Sequence, residues 1–187
     1  FVINFLALGL IWAYIMRSYP TFEAARFWTG AAGAAAGGAA LAALAAVAVD
    51  SLVPLLAGGT ALIFSACLGA MGINRFYNRA VNWRDAALIT GLSFAGLTFF
   101  IFGHDSMVMR ISVYSIGQSI PLALTLKLLL SRQNGRVNPG ARLAATVAIV
   151  IIVIYGVRVA GSLLGGNVSF VHFSPLQSAL ILALVFL

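Results

Sequence analysis

Seven apolar stretches alternate with short polar segments along this chain, at 1–16, 25–49, 52–73, 86–102, 106–130, 141–164 and 175–187. A helix needs about 20 such residues to cross a bilayer, within a range of about 17 to 25. The first and last stretches are shorter because the chain begins and stops inside them. Helix-start signals punctuate the pattern. Asn82 precedes Asp85 by three, near a capping-box spacing, and Asp105 stands ready to cap the fifth helix. Asn138-Pro139 and Ser174-Pro175-Leu176-Gln177 place a proline at the first helical position of the sixth and seventh. The loops then fall at 17–24, 50–51, 74–85, 103–105, 131–140 and 165–174. The expected fold is all-α, a bundle of seven transmembrane helices, with no fixed internal repeat.

Composition agrees with the pattern. Of 187 residues, 62% are hydrophobic and 8% charged, against about 25% charged in an ordinary soluble domain. Mean hydropathy is +1.05. So apolar a chain cannot cover itself with polar side chains in water, so the lipid bilayer is its first expected partner. The net charge of +7 therefore does not mark a nucleic-acid surface. It sorts by side instead. Arg17, Arg26, Arg75, Arg79, Arg84, Lys127, Arg132, Arg136 and Arg142, nine of the eleven basic residues, fall in or beside the odd-numbered loops. The even-numbered loops hold Asp50, His104, Asp105 and His172, with Arg110 and Arg158 nearby. The positive-inside rule then predicts the N-terminus outside and the C-terminus in the cytoplasm. Tyr14, Tyr19, Phe22, Phe27, Trp28 and Trp83 gather at the cytoplasmic boundary as an aromatic belt.

The second stretch reads GAAGAAAGGAALAALAAVAV, with Gly33 and Gly37 in GxxxG spacing. Small residues let helix backbones approach closely in lipid, so this face is expected to pack in the bundle interior or at a dimer seam. Cys67 is the single cysteine, in an apolar run, so no disulfide framework arises within the chain. The chain opens on Phe1 rather than Met and ends at Leu187 within an apolar run, so 1–187 reads as one transmembrane domain cut from a longer protein.

Arg158 is the anomaly. It interrupts IVIIVIYGVRVAGSLLGG, residues 149–166, where a charge costs roughly 2.5 to 3.5 kcal/mol on insertion scales. Helical side chains lean toward the helix N-terminus. For Arg158 that direction is toward the bilayer centre. Arg110, at the start of an inward-running helix, leans toward outer water and can snorkel. Tyr155, Arg158 and Ser162 share one face of the sixth helix. Arg110, Tyr114, Gln118 and Pro121 form a stripe on the fifth, with Ser112, Ser115 and Ser119 adding hydroxyls. The two stripes predict either a polar pocket in the outer half, ringed by Asp50, Asp105 and His104, or a structural arginine bonded within the bundle. The pocket would take an anionic or polar ligand, with Arg158 as counter-charge and Tyr155, Arg110, Tyr114 and Gln118 around it.

Catalytic chemistry finds little support. His104 and His172 lack a third ligand or a C-x-x-C-H motif, so neither metal nor haem is expected, and no other cofactor is. No Ser/His/Asp motif, no intramembrane carboxylate pair and no H-E-x-x-H is present. A rhodopsin would need a lysine in the seventh span, and Lys127 lies on the fifth. All four acids fall in loops or at helix ends, unlike those of an ion pump. Asn167-Val168-Ser169 fits a glycosylation pattern, relevant only in a secretory pathway.

Three stretches, ARFWTGAAGAAAGGAALAAL, GTALIFSACLGAMGINRFYNR and RISVYSIGQSIPLALTLKLLLSR, together resemble the membrane-embedded N-terminal sensor regions of bacterial GGDEF-type diguanylate cyclases. The matching features are Trp28 on a small-residue helix after a basic loop, Gly72 closing a helix before Arg75, and Arg110 opening a later helix. The resemblance spans roughly the whole chain and implies a multi-pass protein of the bacterial inner membrane. It implies an input module whose cytoplasmic cyclase domain would follow residue 187, with any enzymatic activity there. A homodimer is the partner it implies. The alternative is an accessory or scaffold subunit packed against a larger membrane complex. A transporter is a third option, weakened by the lack of repeats or a broken helix pair.

Overall fold

The computed structural model describes residues 2–47, 52–131 and 139–164. Every regular element among them is helical: α1 (Val2–Ser18), α2 (Ala24–Val47), α3 (Val53–Phe76), α4 (Trp83–Thr98), α5 (Met107–Leu129) and α6 (Pro139–Leu163). Phe99–Gly103 continues α4 as a π-helical turn. The described residues hold six helices, and the expected seventh span, 175–187, lies outside them.

Four of these segments are long and apolar enough to cross a membrane: Ala24–Val47, Val53–Phe76, Trp83–Gly103 and Pro139–Leu163. This is the build of a membrane-embedded protein. α1 is apolar but shorter. α5 is long enough at 23 residues, but Arg110, Gln118 and its serines dilute its apolar character, and it is not among the four. The polar stripe that marks α5 in the sequence is the reason it departs from the expected uniform set of spans.

The ends of α3, α4 and α5 follow local chemistry. Asn82 caps α4, its side chain accepting from the Arg84 and Asp85 amides at 3.2 and 3.5 Å. α3 ends in a Schellman turn: Asn78 takes φ 55°, its amide donates to the Arg75 carbonyl, and the Arg79 amide donates to that of Asn74. Asn tolerates this left-handed conformation better than most residues. The α5 cap differs from expectation. Ser106, not Asp105, accepts from the Met109 amide, while Asp105 forms an ion pair with Arg110.

The helices pack in a bent row. α1 lies on α2, α2 on α3, α3 on α5 and α5 on α6, while α4 braces α3 and α5. The α2–α3 seam is the closest. A Cβ on Gly38 would meet the Gly58 carbonyl oxygen at 2.9 Å, and one on Gly58 would meet the Gly38 carbonyl oxygen at 2.8 Å. Only glycine at both positions permits that approach. The seam is therefore rotated by one residue from the expected Gly33–Gly37 pair. Gly33 and Gly37 are exposed, and a Cβ on either would meet nothing within 4 Å. Among the described residues they join no helices.

A second clamp closes the row at the end of α3. Trp28 packs over Gly72, where a Cβ would collide with its indole nitrogen. Trp12, at 4.5 Å between ring centroids, and Phe22, at 5.8 Å, complete an aromatic cluster on Trp28, and Phe76 adds a fourth ring at 6.1 Å. Glu23 and Arg75 pair across the same end at 2.6 Å. Trp28 and Phe22 thus join α1, α2 and α3, while Tyr14, Tyr19 and Trp83 stay exposed, as an interfacial belt requires.

Candidate functional site

The buried positions of α6 are Ala141, Ala145, Val147, Ala148, Ile151, Tyr155, Arg158 and Ser162. Most follow the three-and-four spacing of one helix face. α5 buries Ile111, Tyr114, Gln118, Pro121, Thr125 and Leu129 on a matching face. The two faces oppose one another, so a polar side chain on one meets the polar stripe on the other. The result is a cluster of Tyr114, Gln118, Tyr155 and Arg158.

The phenol rings of Tyr114 and Tyr155 meet edge to face, 6.3 Å between centroids and 79° between planes. The Gln118 side-chain amide donates to the Tyr114 hydroxyl at 3.3 Å. Arg158 lies one turn beyond Tyr155 and interacts electrostatically with both phenols. Gln118 and Arg158 are each only 8% exposed, so the arginine faces the protein interior and does not snorkel. The inward lean of a side chain on α6 delivers the guanidinium to the phenols. Around the cluster pack Leu56, Ile63, Leu97, Ile101, Val147 and Ile151.

The other expected pocket members go elsewhere. Arg110 is held by Asp105 at the head of α5. Its side chain is 13% exposed, against 79% for Asp105, so it neither snorkels freely nor joins the phenols. Of the serines on α5, Ser112 and Ser119 donate to carbonyls of their own helix, at 2.9 and 2.8 Å. Ser115 is buried, and its hydroxyl has no hydrogen-bond partner among the described residues. Ser162 donates to the Val159 carbonyl at 2.8 Å. Asp50 and His172 lie outside the described residues, and His104 is exposed. Cys67 is a small buried side chain among Leu68, Met71 and Ala86.

The feature missed by sequence reasoning is a cavity of about 960 Å³ along the inner side of the bent row. It forms because α6 packs chiefly on α5 and α1 chiefly on α2, leaving the two wings apart. Alanines of α2 from Ala31 to Ala43 make one wall, and Ala144, Ala148 and Ile151 of α6 the other. α3 and α5 form the floor. Tyr114, Gln118 and Tyr155 open into this trough at one end, and Trp12, Trp28, Phe76 and Tyr77 line the other. The signal for it in the sequence is the alanine content of α2, whose short side chains leave the space unfilled. Hydroxyls along the walls are already spent: Ser65 donates to the Leu62 carbonyl at 2.8 Å and Thr125 to that of Leu122 at 2.7 Å. Between the two ends the trough is apolar. Among the described residues, no group of three or more His, Cys, Asp or Glu is placed to hold a metal ion.

No family model, no curated protein and no solved structure matches the chain.

Proposed function

We propose that this chain is the sensor module of a multi-pass bacterial inner-membrane protein, relaying a signal to a cytoplasmic diguanylate cyclase domain. The observation that carries this reading is the buried Tyr114–Gln118–Tyr155 cluster, with Arg158 one turn behind it, opening into a preformed trough. Buried ionisable groups within membrane helices are retained chiefly where they serve a ligand, a proton or a structural bridge. Here the cluster sits in a molecule whose two helical wings are joined chiefly through α3 and α5, so a ligand between the wings would shift their spacing. The charge asymmetry of the loops supports a cytoplasmic C-terminus, the side on which an output domain would lie. The sensor-region resemblance supplies the identity of that output.

The alternative of an accessory subunit draws on the exposed Gly33–Gly37 face of α2, which is flat enough to receive another helix. The two readings separate in cells producing the full-length protein. Arg158→Met at matched membrane abundance should change the cellular cyclic di-GMP level by several-fold. Wild-type cyclic di-GMP levels in that variant would refute the sensor reading, and co-purification of both forms with a larger membrane complex would install the accessory one.

A further inference from the structure

We propose that the trough binds a single-chain amphiphile with an anionic head, such as a long-chain carboxylate or a lysophospholipid. The inference rests on the cluster being a ligand site, as proposed above, and deepens that reading by naming the ligand class.

The head is assigned from donor chemistry. Tyr114, Tyr155 and Gln118 line one end of the trough with two hydroxyls and an amide NH₂, and the Arg158 guanidinium, not itself a lining group, is buried one turn beyond Tyr155 and adds positive charge behind them. Such a donor-rich, positively charged end suits a carboxylate or phosphate oxygen, because charge-assisted hydrogen bonds are the strong ones. No acidic side chain lines the trough among the described residues, so an anion meets no like charge there. Ser115, next to Tyr114 on α5, is buried with its hydroxyl lacking a partner among the described residues.

The tail is assigned from shape. From Gln118 to Leu129 the α5 floor runs about 17 Å at ~1.5 Å per residue. Over that length the walls are chiefly Ala, Gly, Leu and Ile, with Phe5 and Pro121, and the Ser65 and Thr125 hydroxyls donate to their own helices. The far end is lined by Trp12, Trp28 and Phe76. A channel with one polar end, an apolar shaft and an aromatic stop matches one aliphatic chain carrying one head. Its volume of about 960 Å³ lies toward the top of the ~300–1,000 Å³ usual for small-ligand sites. The apolar shaft supplies affinity and the cluster supplies selection of the head.

The aromatic stop provides the readout. Trp12 and Trp28 lie where the tail would end, and Trp83 is exposed outside the trough. In a Trp83→Phe background, the full chain in phosphatidylcholine nanodiscs should show saturable tryptophan quenching by ω-bromopalmitate. The neutral ω-bromohexadecanol should bind about ten- to hundredfold more weakly, as should ω-bromopalmitate to Arg158→Met. Tyr155→Phe, a smaller change, should weaken the acid in the same direction if Arg158→Met does not fold. Ala39→Phe, which fills the shaft, should abolish saturation. Competition by 1-palmitoyl-lysophosphatidylglycerol then identifies the source: tighter displacement than palmitate assigns a lysolipid, weaker displacement a free fatty acid, and either supports the proposal. Equal quenching by acid and alcohol, without saturation, would overturn it. Saturable, head-selective binding with unchanged cyclic di-GMP output would preserve the amphiphile site and remove the sensor reading. Output that depends on Arg158 without acid binding would do the reverse.

Discussion

Arg158 is buried one turn beyond Tyr155 on a helix that is otherwise largely apolar. Its anomaly is legible in the sequence, because a charge in such a run must face protein, water or the membrane surface. Its partners on α5 are legible too, since Tyr114 and Gln118 form a one-sided stripe at i and i+4. Arg110 shows the limit. Only the fold of the loop before α5 reveals that Asp105 reaches it, since an acid five residues upstream is equally placed to cap the helix. The glycines show a second limit. Spacing singled out Gly33 and Gly37, but helix rotation decides which face meets α3, and in so small-residued a helix several rotations look alike in sequence. Gly38 and Gly72 carry the close contacts. Gly72→Ala should therefore destabilise the protein by about 1 to 3 kcal/mol, because the indole of Trp28 must move. Gly37→Ala should stay within ~0.5 kcal/mol of wild type. Thermal unfolding in detergent checks both, and equal losses would show that the α2–α3 seam is misplaced.

At the scale of elements, helix positions follow closely from apolar runs and caps. Asn82 caps α4 as its sequence context indicates, and Pro139 opens α6. The continuation of α4 through a π-helical turn at Phe99–Gly103 has no such signal, because four consecutive apolar residues and a glycine fit an α-helix equally well. The side of the membrane on which each loop lies is an expectation from charge alone. In a Cys67→Ala background, cysteines at Ala80 and His104, both exposed, should react with membrane-impermeant maleimide from opposite sides of intact cells. Ala80 should be cytoplasmic and His104 external. Labelling of both from one side would contradict an odd number of crossings between them.

At the scale of the molecule, the bent row is the consequence of unequal seams. α2 and α3 are drawn together by glycine, while the outer wings α1 and α6 each lean on one principal neighbour. The trough between the wings is a property of that arrangement. No single stretch of sequence encodes it, which is why sequence reasoning reached the polar cluster but not the shaft below it. The central claim is that a ligand on the cluster moves one wing relative to the other. It is tested most directly by spin labels on exposed Thr21, in the α1–α2 loop, and exposed Arg142, in the first turn of α6. Both labels would be introduced through cysteine in a Cys67→Ala background, in phosphatidylcholine nanodiscs. The account predicts that palmitate shifts or narrows the distance distribution between them, and that Arg158→Met removes the effect. An identical distribution with and without palmitate, at concentrations that saturate tryptophan quenching, would contradict it.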